Sequence, residues 1–175
     1  MQRSELEHII RASGDIANDD EVIIIGSQAI LGQFPDAPKR LLRSMETDIY
    51  PRNKPELAEK VDDAIGEGSS FHELNGYYAQ GVGPETAVLP SGWEDRLVRI
   101  RNENTRGVTG LCLEVHDLAI SKLVAGRTKD LEYVAELARN KMIGRAELTE
   151  RLSMTALSDP QRELVHARVL TIIRR

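Results

Sequence analysis

The run EVIIIG at 21–26 constrains this chain more than any other segment. A valine and three isoleucines in succession put branched apolar side chains on both faces of a strand, which predicts a central strand covered on both sides. Such a strand needs neighbours in a sheet and further layers packed over it. Asp19 and Asp20 before the run, and Gly26 after it, mark its limits.

The remaining pattern supplies those neighbours. Ser4 and Glu7 have the spacing of a capping box ahead of Leu6, Ile9, Ile10 and Ala12, so a first amphipathic helix is expected, ending near Gly14. Gly26 and Ser27 open the short helix SQAILGQF, with backbone N–H groups and a hydroxyl placed where an anion could bind. METDIYP predicts a second strand, Pro55 with Leu57, Val61 and Ile65 a helix over 54–66, and GYYAQGVG a third strand at 76–83. RLVRIR and GLCLEV flank a turn-rich stretch and predict a hairpin over 96–115. Helical patterns follow: DLAISKLVAGR, TKDLEYVAELARN, RAELTERL and a last helix from Ser158 with Pro160 in its first turn. Strands and helices in this order predict an α+β fold with a mixed sheet, a core over residues 1–115 and a helical C-terminal region over 116–175 packed on it.

Composition narrows the function. An excess of 28 Asp and Glu over 23 Lys and Arg gives a formal charge of -5, which argues against a broad basic surface for duplex nucleic acid but leaves room for a local patch. A lone Cys112 has no disulfide or metal partner and reads as a small buried side chain, in keeping with a reducing cytoplasm. The four histidines lack zinc-type spacing, and no apolar run approaches the length of a membrane span. The start MQRSELEHII lacks the pattern of a signal peptide, so a cytoplasmic protein without membrane partners is expected.

Glu46 and Asp48 stand one residue apart in the second strand, so their side chains leave the same face. Two neighbouring like charges are costly unless a cation or proton lies between them. Magnesium takes one or two protein carboxylates and completes its shell with water and phosphate oxygens, and a helix start favours the same phosphates. Gly26, Ser27, Glu46 and Asp48 together therefore describe a cradle for a metal-bound nucleotide, suited to phosphoryl chemistry by positioning and charge neutralisation.

Gly26-Ser27 followed by Glu46-x-Asp48 resembles the G-S and [DE]-x-[DE] motif of the nucleotidyltransferase superfamily related to polymerase β. The stretch LAISKLVAGRTKDLEYV is similar to the K-L-x-A-x-R-x-K-D region of the AbiEii and MenT type toxin nucleotidyltransferases and their small uncharacterised relatives. The resemblance covers roughly residues 20–140. It implies a nucleotidyltransferase-like sheet and an enzyme that moves a nucleoside monophosphate from a nucleoside triphosphate to an acceptor hydroxyl, with Mg2+ or Mn2+ held by Glu46 and Asp48. By the same resemblance Gly26, Ser27, Lys122, Arg127 and Lys129 bind the nucleotide, and Lys122 and Asp130 join the two carboxylates as catalytic residues. The implied acceptor is the 3′ end of a transfer RNA or a protein, and a cognate antitoxin is the implied partner.

Two departures stand against the family pattern. The first carboxylate is Glu where Asp is commoner, and the third strand offers Gln80 where many members carry a third acid. Asp130 or Glu114 could substitute. Without a third acid the chain reads instead as a catalytically inactive binding or antitoxin-like regulatory protein of the same fold. Simpler readings also stand: Ser27 as a helix cap, the acidic pair as a solvated edge, Asp130 as a surface acid, and Lys122, Arg127 or Lys129 in ion pairs with Glu132 or Glu136. Trp93 in PSGW could stack a base or anchor a turn, and Arg99, Arg101 and Arg106 could meet an RNA backbone or simply solvate the hairpin. The terminal VHARVLTIIRR reads as a packing helix or a dimer contact.

Overall fold

The computed structural model describes residues 1–173; the two closing arginines of the terminal stretch lie outside the described residues. The described chain divides into two compact units, Met1–Thr86 with Leu97–Leu113, and Ala87–Arg96 with the chain from Glu114 onward.

The first unit holds a five-stranded sheet: β1 (Glu21–Ile24), β2 (Glu46–Pro51), β3 (Tyr78–Gly81), β4 (Val98–Ile100) and β5 (Thr109–Cys112), in the order β3-β2-β1-β5-β4. β1 runs antiparallel to β2 and parallel to β5, β2 is parallel to β3, and β4 closes antiparallel on β5. The sheet is mixed and the fold is α+β, with EVII at the centre as its composition requires. Val22, Ile23 and Ile24 are buried, each contributing about 1.5–3 kcal/mol by leaving water.

Four helices share this unit: α1 (Arg3–Ala17), α2 (Ile30–Gln33), α3 (Ala58–Ile65) and α4 (Ser70–Asn75). α1 starts two residues earlier than the Ser4 signal suggests, because Gln2 and Glu5 form the capping box, and it runs on past Gly14 to Ala17, with Asn18 as its C-cap. Glu7 is instead buried against the hairpin, accepting from Arg3, Asn102 and Asn104. Gly14 lies within the helix, at a point where Val108 and the Asp19 carbonyl leave no room for a side chain. The 54–66 helix begins with a 3-10 turn, Pro55–Leu57, before α3. α4 is capped by Ser69 and ended by Gly76 at φ 76°; its six residues are too few for a periodic signal, so the sequence did not reveal it.

The second unit is helical: α5 (Val115–Ala125), α6 (Thr128–Arg139), α7 (Arg145–Ser153) and α8 (Asp159–Ile172). Gly126 at φ 65° ends α5, and Ser158 with Gln161 forms the box that starts α8. Ala87–Arg96 is fastened within this unit. The buried Asp117 accepts Arg96 Nε at 2.8 Å and Arg96 Nη2 at 3.0 Å, its Oδ1 lies 3.1 Å from Arg151 Nε, and Ser91 N–H donates to the Met154 carbonyl. Trp93 is half-buried in this segment. Among the described residues no helix is long and apolar enough to cross a membrane.

Candidate functional site

The register of β1 on β2 brings the Gly-Ser turn to the acidic strand. Ile23 pairs with Tyr50 and Ile24 with Ile49, and Ile25 N–H donates to the Asp48 carbonyl at 3.1 Å. Gly26 then turns into a 3-10 segment, Ser27–Ala29, that leads into α2. Gly26 itself occupies the cap position, so Ser27 is the first residue of the turn and not its cap. The need for glycine is one of space: its φ is -86°, open to any residue, but a Cβ there would lie 2.1 Å from Asp48 Oδ2. The Asp48 carboxylate therefore rests directly over the Gly26 backbone.

β3 lies parallel on the other side of β2, with Tyr78 opposite Glu46 and Gln80 opposite Asp48. Paired residues of a sheet share a face, so these four side chains stand together, while Thr47, Ile49 and Ala79 turn to the other face and are fully buried. Glu46 and Asp48 are each half-buried. The Tyr78 hydroxyl donates to Glu46 Oε2 at 3.3 Å, and its ring centroid lies 4.5 Å from that of His72 on α4. Burial, and after it the negative charges of Glu46, Glu67 and Asp48, push the Tyr78 phenol above its ordinary range. Sequence reasoning missed Tyr78 and His72. Tyr78 had a signal, since it shares strand parity with Gln80, whereas nothing in the sequence places His72 beside it.

In the second unit Asp130 is only 1 % exposed, a buried acid where a surface one was the simple expectation. Arg127 Nε reaches its Oδ2 at 2.7 Å, and Lys122 Nζ lies 3.4 Å from Oδ1 and 4.6 Å from the centre of the Tyr133 ring. Burial alone would raise the Asp130 pKa; the Arg127 hydrogen bonds and the charges of Lys122 and Arg127 outweigh it and hold it below the usual range. Lys122 and Arg127 thus pair with Asp130, and Lys129 is exposed. Glu114 caps α5, accepting from His116 N–H at 3.0 Å, with its other oxygen 2.8 Å from His116 Nδ1. Burial opposes its ionisation, but the His116 contacts prevail and its pKa is lowered.

Among the described residues no three His, Cys, Asp or Glu side chains are grouped to hold a metal ion together. Glu46 and Asp48 remain as a pair of hard oxygen donors on one face, which fits a divalent cation that completes its shell from water and phosphate. A groove of about 620 Å³ lies at the other end of β1, lined by residues including Asp15, Asn18, Asp19, Asn53, Lys54 and Arg106. Its polar groups largely satisfy one another: Asn53 donates to Asp19, and Lys54 to the Ala17 and Asn18 carbonyls.

A mixed α+β sheet that sets a Gly-Ser turn beside a strand bearing Glu-x-Asp is the arrangement expected of a nucleotidyltransferase. Residues 4–167 match the model of a family described as nucleotidyltransferase of unknown function (DUF6036), and the chain belongs to that family. No curated protein and no solved structure matches it.

Proposed function

We propose that the chain is a metal-dependent nucleotidyltransferase that moves a nucleoside monophosphate from a nucleoside triphosphate to an acceptor hydroxyl. The observation that carries this reading is the contact of the Asp48 carboxylate with the Gly26 backbone, which joins the two halves of the motif in one place. Glu46 and Asp48 would hold Mg2+ or Mn2+. Bound there, the cation supplies positive charge to the triphosphate and draws electrons from its phosphorus. Gly26 keeps the turn low enough for Asp48 to lie over it, and the Ser27 hydroxyl binds phosphate. By resemblance Lys122, Arg127 and Lys129 neutralise phosphate charge and Asp130 acts in the reaction; the buried ion pairs of Asp130 support a role through Lys122 and Arg127. The acceptor, by the same resemblance, is a transfer RNA 3′ end or a protein, in a system with a cognate antitoxin.

A specific observation favours a second reading. Gln80 stands opposite Asp48 in the β2–β3 register, at a position where a third acid would complete the metal site. A catalytically inactive protein that binds nucleotide through the same turn and serves as a regulatory partner is consistent with that residue. Equilibrium binding of each nucleoside triphosphate with Mg2+, and with chelator instead, tests the site common to both readings. The expected result is binding that needs the metal and is lost in Asp48→Asn. Binding indifferent to both changes contradicts the assignment of the site.

A further inference from the structure

Glu46 carries one more methylene than its neighbour Asp48, so its carboxylate has an additional torsion to fix before it can serve a cation beside Asp48. A line of contacts within the first unit fixes it. Ser69 caps α4 by accepting from His72 N–H at 3.2 Å, and Gly68 N–H donates to His72 Nδ1 at 3.0 Å, which sets the orientation of the imidazole ring. That ring packs tilted on Tyr78, at 50° between planes, and the Tyr78 hydroxyl donates to Glu46 Oε2. The bond is long for an O–H···O contact, and it engages one carboxylate oxygen from the side of β3. The Tyr78 contact is to Oε2 and not to Oε1, and the carboxylate belongs to the same strand face as Asp48.

We propose that Tyr78, supported by His72, is the positioning residue of the acidic pair: its hydroxyl orients Glu46 so that Glu46 and Asp48 bind one divalent cation. This rests on the reading of Glu46 and Asp48 as the metal ligands. Tyr78 does not touch the cation; it acts through Glu46. Partners that orient a ligating carboxylate typically change metal affinity by about 10–100-fold when removed. The short helix α4 then has a function in the site, since it carries the His72 ring that limits the movement of Tyr78.

Mn2+ titration followed by the electron paramagnetic resonance of the free ion tests the inference without an acceptor. The proteins compared are wild type, Tyr78→Phe, Glu46→Gln, the double variant, and Tyr77→Phe as a control that loses a hydroxyl bonded to His8 instead. Thermal melts establish that each is folded, and His72→Ala provides a second route to the same loosening of the Tyr78 ring. The expected result is a loss of affinity of about 10-fold or more in Tyr78→Phe, a smaller loss in His72→Ala, and no change in Tyr77→Phe. In the Glu46→Gln background the Tyr78→Phe effect should vanish, because the two residues act as one unit. Wild-type binding that is unaltered in Tyr78→Phe, or a Tyr78→Phe loss that persists undiminished without the Glu46 charge, overturns the positioning role alone. No Mn2+ binding by the wild type overturns the assignment of the metal ligands, and the positioning role with it.

Discussion

The Asp48 carboxylate lies over Gly26 so closely that a methyl group on the glycine would stand 2.1 Å from Oδ2 and 3.0 Å from Cβ of the aspartate. The backbone at Gly26 would accept alanine, since its φ and ψ are those of extended chain. Any penalty for substitution is therefore a matter of contact. Gly26→Ala should displace Asp48, cost about 1–3 kcal/mol as an overpacked site, and abolish metal-dependent nucleotide binding. Urea denaturation paired with calorimetric titration would check both parts; a variant that binds normally would mean that the turn and Asp48 do not work together.

Gln80 and Asp48 are register partners in β2 and β3, and Gln80 is exposed. Gln80→Glu should therefore raise Mn2+ affinity, by about tenfold if the added carboxylate reaches the ion, with little change in stability at a surface position. Titration with Mn2+ at fixed pH gives the answer. Unaltered affinity would show that the cation lies out of reach of the β3 edge.

Asp130 stays ionised in the fold at a pH where a solvated carboxylate would take a proton. A lowered folded pKa contributes stability that is complete above the unfolded value, 3.8, and is lost as pH falls through the folded one. Asp130→Asn should cost about 2–4 kcal/mol near neutrality, between the loss of hydrogen bonds to a charged group and the breaking of a buried pair. The gap to wild type should narrow as pH drops below 3.8. Unfolding free energies measured across pH 2–7 (about neutrality downward) would reveal a constant gap if Asp130 contributed only shape.

Asp117, 0 % exposed, neutralises Arg96 and Arg151, whose side chains are themselves largely covered. Asp117→Ala removes the buried carboxylate that Arg96 and Arg151 share, leaving Arg151 the exposed Glu150 at 3.6 Å, and should cost about 3–5 kcal/mol. It should also release Ala87–Arg96, because Arg96 is the side chain that joins this segment to α5. Trp93, the chain's single tryptophan, reports the release directly. A red-shifted emission and faster amide exchange over 87–96 are expected; an unchanged spectrum in a destabilised variant would locate the damage in α7.

The sequence made the central sheet legible because four branched apolar residues in a row have few alternatives to a covered strand. The adjacency of 21–26 and 46–50, on which the functional motif depends, also holds in the β1–β2 register. Local signals failed where tertiary contacts decide. Glu7 matched a capping box by spacing, but it is drawn to Asn102 and Asn104, far along the chain. Asp130 looked like a surface acid because burial of a charge depends on partners that a helical period does not disclose. Tyr78 had only its strand parity with Gln80 to mark it, and His72 lies on a six-residue helix too short to leave a periodic trace.

Transfer itself decides whether the protein is a nucleotidyltransferase. Each nucleoside triphosphate, radiolabelled at the α-phosphate, is incubated with Mg2+ or Mn2+ and with bacterial transfer RNA or lysate protein, using wild type and Asp48→Ala. Label is expected on one class of acceptor, dependent on the metal and absent with Asp48→Ala. A folded wild type that binds nucleotide but labels no acceptor would contradict the nucleotidyltransferase reading and leave the protein as a nucleotide-binding partner without catalysis.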